Sequence, residues 1–174
     1  ITLTDMIAFA ATRTLVSYPE LNSIFQNDTL YQYDHVHLAL AVDTERGLMV
    51  PVVRFADLMS LNELAIALKE LASRAKAGSI NPDLLSGGTI TLTNLGSFGI
   101  DSFTPVLNPP QVAILGVAGI HPKPVANADG SYDMLPHIGL SLTIDHQVVD
   151  GAPAAKFLQA LVAQIENINL ALAQ

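Results

Sequence analysis

The 174-residue sequence contains no cysteine and no tryptophan, and only eight of its residues are Lys or Arg. Without cysteine there is no disulfide framework, no thiolate metal site and no thiol nucleophile. Without a cluster of cations nothing displaces counterions from phosphates, so nonspecific nucleic-acid binding is excluded as a class. Sixteen acidic residues leave a net charge of −8, yet charged residues make up only 14% of the chain and hydrophobic ones half of it. Disorder requires low hydrophobicity together with high charge, so the composition points to one well-cored soluble domain. The longest charge-free run, Ser102 to Pro122, is interrupted by Pro105, Pro109 and Pro110 and cannot be a membrane-spanning helix. The chain begins Ile1-Thr2-Leu3-Thr4, with neither an initiator methionine nor the basic-then-apolar layout of a signal peptide, and is expected to be a fragment.

Periodicity supplies the elements. Thr4 as N-cap, Asp5 in the first turn and apolar Ile7, Ala10, Ala11 and Leu15 predict a helix over 4–17, stopped at Tyr18-Pro19. Val36, Leu38, Leu40 and Val42 alternate with polar or small residues and predict a strand; 48–53 is a second. Ser60 and Glu63 form a capping box, Gly78 ends the helix that follows, and Glu70 and Arg74 pair on its wet side. Further strands are expected at 89–93, 111–117, 132–135 and 138–144, with a turn at Asp129-Gly130 and a final amphipathic helix from Ala152. Helices interspersed among strands predict an α/β fold, a mixed sheet with flanking helices.

Between Leu84 and Pro122 the only formally charged side chain is Asp101, which fits either buried strands with a rigid turn or a subunit interface. Of five histidines, His146 continues the apolar parity of Ile138, Leu140, Leu142 and Ile144, which predicts an inward-facing imidazole at a strand end. An imidazole, with an ordinary pKa near ~6.5, suits proton transfer at neutral pH. A core histidine held by backbone is the plainer alternative, as an N-cap is for Asp150, four residues on. Thr89, Thr91 and Thr93 share one strand face, with Thr93 last, which fits a solvent-facing threonine ladder for Thr89 and Thr91. His35-x-His37 could place two imidazoles on one ion, but no third ligand is near in sequence, and no metal is expected.

The string Thr91-Leu92-Thr93-Asn94-Leu95-Gly96-Ser97-Phe98-Gly99, then Asn108-Pro109-Pro110-Gln111, Ala113-Ile114-Leu115-Gly116-Val117, Asp145-His146 and Asp150-Gly151-Ala152 stand in one order along the chain. With Tyr18-Pro19-Glu20-Leu21-Asn22 and Gly47-Leu48-Met49-Val50-Pro51-Val52, they resemble the catalytic core of the dihydrolipoamide acyltransferases, the E2 components of 2-oxo acid dehydrogenase complexes. The resemblance implies a chloramphenicol-acetyltransferase-like two-layer sandwich, assembled as a homotrimer with active sites between subunits and building a 24- or 60-subunit core. It implies acyl transfer, acetyl first, between dihydrolipoyl and coenzyme A thiols. By it His146 is the general base, Asp150 supports the site, and Thr93 of the facing subunit donates to the oxyanion. Phe98, Gly99 and Ile100 are expected near the substrate channel, and Lys123 is a candidate contact for the coenzyme's phosphates, the alternative being a solvated loop lysine.

The resemblance further implies a catalytic core over 1–174 without the lipoyl domain or the peripheral-subunit-binding domain through which E1 and E3 components are reached. The expected location is the bacterial cytoplasm or the mitochondrial matrix, with no nucleic acid or membrane partner. Gln147 stands where the family has Arg. The apolar end from Ile165 to Gln174 would dock a neighbouring trimer or close the last helix on its own domain. A non-catalytic scaffold core is the main alternative; a Ser-His-Asp hydrolase lacks its Gly-x-Ser-x-Gly elbow.

Overall fold

The computed structural model describes residues 1–171. α1 spans Leu3–Leu15. Its N-cap is Thr2 rather than Thr4: the Thr2 hydroxyl accepts from the Asp5 amide, and the Asp5 carboxylate accepts from the Thr2 amide at 2.6 Å. Asp5 is thus the return arm of a capping box, which leaves no such role for Thr4. A hairpin that periodicity does not announce follows, β1 (Ser23–Gln26) and β2 (Thr29–Gln32), turning through Asn27 and Asp28, both at positive φ. These two residue types tolerate the left-handed region because a short polar side chain bonds locally.

The alternating stretch 36–43 is two strands, β3 (Leu38–Leu40) and β4 (Val42–Thr44), in different sheets. The expected strand 48–53 likewise divides into β5 (Gly47–Met49) and β6 (Val52–Val53) around Pro51, whose carbonyl accepts from the Leu40 amide at 2.9 Å. α2 (Leu61–Lys76) starts on the Ser60–Glu63 capping box and carries the Glu70–Arg74 pair. β7 (Ile90–Asn94), β8 (Ala113–Ala126), β9 (Tyr132–Ile144) and α3 (Gly151–Glu166) complete the frame, with a short α4 at Ile168–Ala171. β8 and β9 are longer than the sequence suggests: the prolines at 122, 124 and 136 sit within a paired ribbon. The end of the apolar tail, 172–174, lies outside the described residues.

The main sheet runs β6-β3-β7-β8-β9, with β3, β7 and β8 parallel and both outer strands antiparallel. Ile7, Leu15, Leu64, Leu68, Phe157 and Leu161 of the three long helices pack with Leu38, Ile90, Leu92 and Leu115 of the sheet in one core. The second face of β7 is buried too. Its Thr91 hydroxyl donates to Gln111 Oε1, and the hydroxyl of Thr89, the residue just before the strand, donates to Asn22 Oδ1, each at 2.5 Å. The solvent-facing ladder is therefore corrected: a buried hydroxyl costs free energy unless paired, and here each pairs with an amide from a segment crossing the sheet.

Truncating Leu92, which is fully buried at the centre of this layer, should cost about 2–5 kcal/mol in urea unfolding. Ile66→Ala, on the exposed side of α2, should stay within ~0.5 kcal/mol of the parent.

Candidate active site

Thr93 lies near the carboxyl end of β7, opposite Gly116 of β8. It follows Thr89 and Thr91 on one strand face, and of the three it alone stays partly exposed. Gly116 matters here. A Cβ on it would lie 2.9 Å from the Phe103 ring, so glycine lets the 101–105 segment close over the sheet beside Thr93. Asn94, the next residue, fixes the strand's exit: its Oδ1 accepts from the Gly96 amide at 2.7 Å and its Nδ2 donates to the Thr4 hydroxyl at 2.8 Å. Sequence reasoning did not single out Asn94; its position between the last strand residue and a glycine turn was the available signal.

His146 is at the other end of the sheet, and not as the strand parity predicts. β9 ends at Ile144, and the Asp145 amide donates to the Val112 carbonyl at 2.8 Å. Asp145 Oδ1 then accepts from the Gln147 amide at 3.0 Å, turning the chain, so alternation stops applying before His146. The ring is exposed rather than inward. Asp150 occupies the N-cap position of α3 with extended φ and ψ, yet its side chain makes no capping hydrogen bond. Its carboxylate is exposed and left free by its own helix.

The register measures how far apart these groups are. Gly116, opposite Thr93, faces Ser141 of β9, three residues before Ile144. At ~3.3 Å per residue along the strands and ~4.8 Å between them, Ile144 lies about 14 Å from Thr93, and His146 is two residues further on. One chain therefore does not bring His146 and Thr93 to a common atom. Phe98, Gly99 and Ile100 follow β7, where Phe98 is 70% exposed and Gly99 adopts a left-handed φ of 73°. The Ile100 carbonyl accepts from the Gly119 amide at 2.7 Å. Lys123 lies 3.7 Å from Asp101 on the β8–β9 ribbon. A groove of about 1090 Å³ between α1, the start of α2 and α3 contains none of these residues.

The sequence's other imidazole pair is accounted for by its own hydrogen bonds. His35 Nδ1 is 2.9 Å from the buried carboxylate of Asp57, whose second oxygen accepts from the Val36 amide at 2.8 Å. His37 Nδ1 accepts from the Phe55 amide at 3.0 Å, which leaves the neutral ring's hydrogen on Nε2 and no lone pair there for a metal. Among the described residues no group of three potential metal ligands occurs. Nor does any described helix have the length and apolarity to cross a membrane.

The family model for the catalytic domain of 2-oxoacid dehydrogenase acyltransferases matches residues 1–173. The chain belongs to this family. It is 44% identical over 169 residues to the dihydrolipoyllysine-residue acetyltransferase component of the acetoin cleaving system of Bacillus subtilis, a match covering 96% of this chain and 42% of that protein. The chain spans less than half the length of the curated relatives it matches, which come from bacteria and from mitochondria. Among solved structures, the Azotobacter vinelandii dihydrolipoamide acetyltransferase superposes with TM-score 0.92 at 34% identity, over 99% of this chain and 71% of its own. The role of a serine, a histidine and, four residues after it, an asparagine in its catalytic mechanism has been investigated there. The cubic core of a pyruvate dehydrogenase multienzyme complex also superposes at 0.92, with 35% identity and the same coverage. Chloramphenicol acetyltransferase, at 15% identity and TM-score 0.54 over 91% of this chain and 75% of that one, shares the fold alone, the two-layer mixed-sheet architecture expected from sequence.

Burial, together with the nearby Arg54 charge, pushes the His37 pKa below the ordinary 6.5. From about pH 6.5 downward the unfolded chain binds a proton that the folded chain still refuses, so stability falls with pH until the lowered pKa is passed. His37→Asn keeps an acceptor for the Phe55 amide but cannot titrate. Urea midpoints measured between pH 7.5 and 5 should therefore show the wild type losing stability relative to this variant; parallel profiles would dismiss His37 as the group responsible.

Proposed function

We propose that this catalytic domain transfers an acyl group, acetyl first, between the thiols of a dihydrolipoyl group and coenzyme A. The observation that carries this reading is the His146–Asp150 pair, left free by its own fold at one sheet end, with a hydroxyl at the other. The four-residue spacing from His146 to Asp150 equals that of the histidine and asparagine in the Azotobacter vinelandii enzyme. Asp150 keeps the acceptor oxygen of an asparagine.

In this mechanism His146 takes the proton of the attacking thiol as its sulfur bonds to the thioester carbonyl carbon. The Thr93 hydroxyl of a second copy donates to the oxyanion. When the carbon–sulfur bond to the departing carrier breaks, the imidazolium returns its proton to that sulfur, giving a new thioester and a free thiol with no covalent enzyme intermediate. A thiol is mostly protonated at neutral pH, its ordinary pKa being ~8.5 for cysteine, so the base is needed. Phe98, Gly99 and Ile100 border the approach, and Lys123 is the contact for the coenzyme's phosphates, which would compete with a surface ion pair to Asp101 that is worth little by itself.

Because His146 and Thr93 occupy opposite ends of one sheet, the contact that unites them is head-to-tail and closes as a ring. A homotrimer, stacked into a larger core and served by E1 and E3 components through domains outside this chain, is the assembly in this reading. The setting is a bacterial cytoplasm or a mitochondrial matrix.

Transfer from acetyl-coenzyme A to dihydrolipoamide, followed by thioester absorbance, tests the proposal. His146→Ala should reduce turnover by about 10²–10⁴, and Thr93→Ala should lower kcat by about 10²–10³ with little change in KM. Co-refolding the two variants should restore activity, because about a quarter of head-to-tail contacts in a random mixture pair an intact His146 with an intact Thr93. A mixture as inactive as its components would overturn the shared site.

A further inference from the structure

Thr93 is held by fewer strand bonds than the residues before it. Leu92 is the last residue of β7 paired on both edges, to Leu40 of β3 and Leu115 of β8. Thr93 and Asn94 are paired to β8 alone, because the chain after Leu40 leaves for β4 in another sheet. The Leu95 amide adds one bond to the Val117 carbonyl at 3.0 Å, and there the extended backbone stops, at φ −111° and ψ 10°. A strand end bonded along one edge frays unless something else holds it. A hydroxyl that must meet an oxyanion does not tolerate this, since a displacement of about 1 Å can cost on the order of 10² in rate.

The side chain of Asn94 supplies the missing hold. Alternation puts residues 90, 92 and 94 on the helical side of the sheet and 89, 91 and 93 on the other, so Asn94 points away from the face that carries Thr93. Its Nδ2 donates at 2.8 Å to the hydroxyl of Thr4, in the first turn of α1, and its Oδ1 accepts at 2.7 Å from the Gly96 amide. One planar group thus ties the mouth of β7 to a helix whose Ile7, Ala10 and Leu15 are fully buried, and to the turn that leads to Phe98 and Gly99. That turn has no slack. A Cβ on Gly96 would lie 2.7 Å from the Ala118 carbonyl oxygen of β8. Thr4 does not cap its helix, and its hydroxyl is engaged by Asn94 instead.

We infer that Asn94 is a positioning residue for acyl transfer, fixing the Thr93 hydroxyl through the backbone the two residues share. The inference rests on the reading of Thr93 as the oxyanion donor. Because the two side chains lie on opposite faces of β7, Asn94 acts on the hydroxyl's placement and not on the reacting atoms. Such a role lowers kcat and spares KM, because the hydroxyl's bond is strongest in the transition state, whereas ground-state binding depends on it little.

Acyl transfer, together with hydrogen exchange of peptides covering 93–101 by mass spectrometry, is the test. Asn94→Leu has neither donor nor acceptor; its kcat should fall about tenfold or more with KM within about twofold, and exchange should quicken about tenfold. Asn94→Asp should recover most of the rate and of the protection. Its carboxylate accepts from the Gly96 amide and from the Thr4 hydroxyl, which is free to turn its hydrogen outward. On a Thr93→Ala background, Asn94→Leu should cost less than about twofold more, since a hydroxyl already absent cannot be displaced. Should Asn94→Leu not fold, Thr4→Val removes only the anchor on α1, and its kcat, KM and exchange, alone and with Thr93→Ala, give the same comparisons.

A normal kcat in Asn94→Leu, a rise in KM alone, a loss that multiplies with that of Thr93→Ala, or an Asn94→Asp variant as slow as the leucine one would each overturn the inference. Transfer by wild type and its loss in Thr93→Ala would uphold the underlying reading in all four cases. A wild type that transfers no acyl group, or a Thr93→Ala variant as fast as wild type, would refute that reading and the catalytic role of Asn94 with it. Faster exchange in Asn94→Leu would then still establish the tether, and unchanged exchange would remove the tether as well.

Discussion

Everything else in this molecule is hung on the double-sided burial of β7. It is hydrogen-bonded in parallel to β3 on one edge and to β8 on the other, packs Ile90 and Leu92 into the helical layer, and buries Thr91 on its second face together with Thr89 just before it. A strand confined on four sides has one register, because a slip of one residue would drive leucine toward the amides and threonine into the apolar core. Asn22 and Gln111 enforce that register by accepting from the two buried hydroxyls. The third hydroxyl, Thr93, is then fixed at the strand's mouth without a committed partner being required of the fold.

Topology does the rest. The β7–β8 connection is parallel, so the chain must cross the sheet before β8 begins, and the segment it uses brings Phe103 and Pro105 over Gly116. β8 and β9 are antiparallel, so β9 returns the chain to the end from which β7 started. His146 emerges there. No side-chain packing choice could bring it back to Thr93, since the separation is set by strand length and strand count, which are the least adjustable quantities in a sheet.

Much of this was legible in the sequence, for reasons that differ from place to place. α2 was readable because Ser60 and Glu63 satisfy one another locally, and its apolar stripe needs only the 3.6-residue period. Thr4 was misread as the cap of α1 because one polar residue before an apolar run resembles another; only the reciprocal bond to Asp5 distinguishes Thr2. The β1–β2 hairpin has no alternating pattern to betray it, since its strands are four residues each and only Ser23 among them is buried. The threonine row looked solvent-facing because the partners of Thr89 and Thr91 lie 67 and 20 residues away, where periodicity has no reach. His146 was found as a residue but not in its orientation, because alternation ended at the Asp145 turn.

The proposed division of the reacting groups between two chains would also resolve a physical conflict within one. A base and an oxyanion donor act strongly where water is excluded, because fixed dipoles are then little screened. Burying the same groups unpaired inside a single chain would cost that chain stability, since each would lose its water without gaining a partner. Here His146 and Asp150 stay exposed and Thr93 half-exposed in the lone chain, so folding carries little of that cost. Under that proposal the charge-poor apolar surface that follows β7 would supply the free energy of association, and association rather than folding would remove the water. The fold would in this way be stable before the proposed site exists, and that site would gain its dry surroundings from the same contact that completes it.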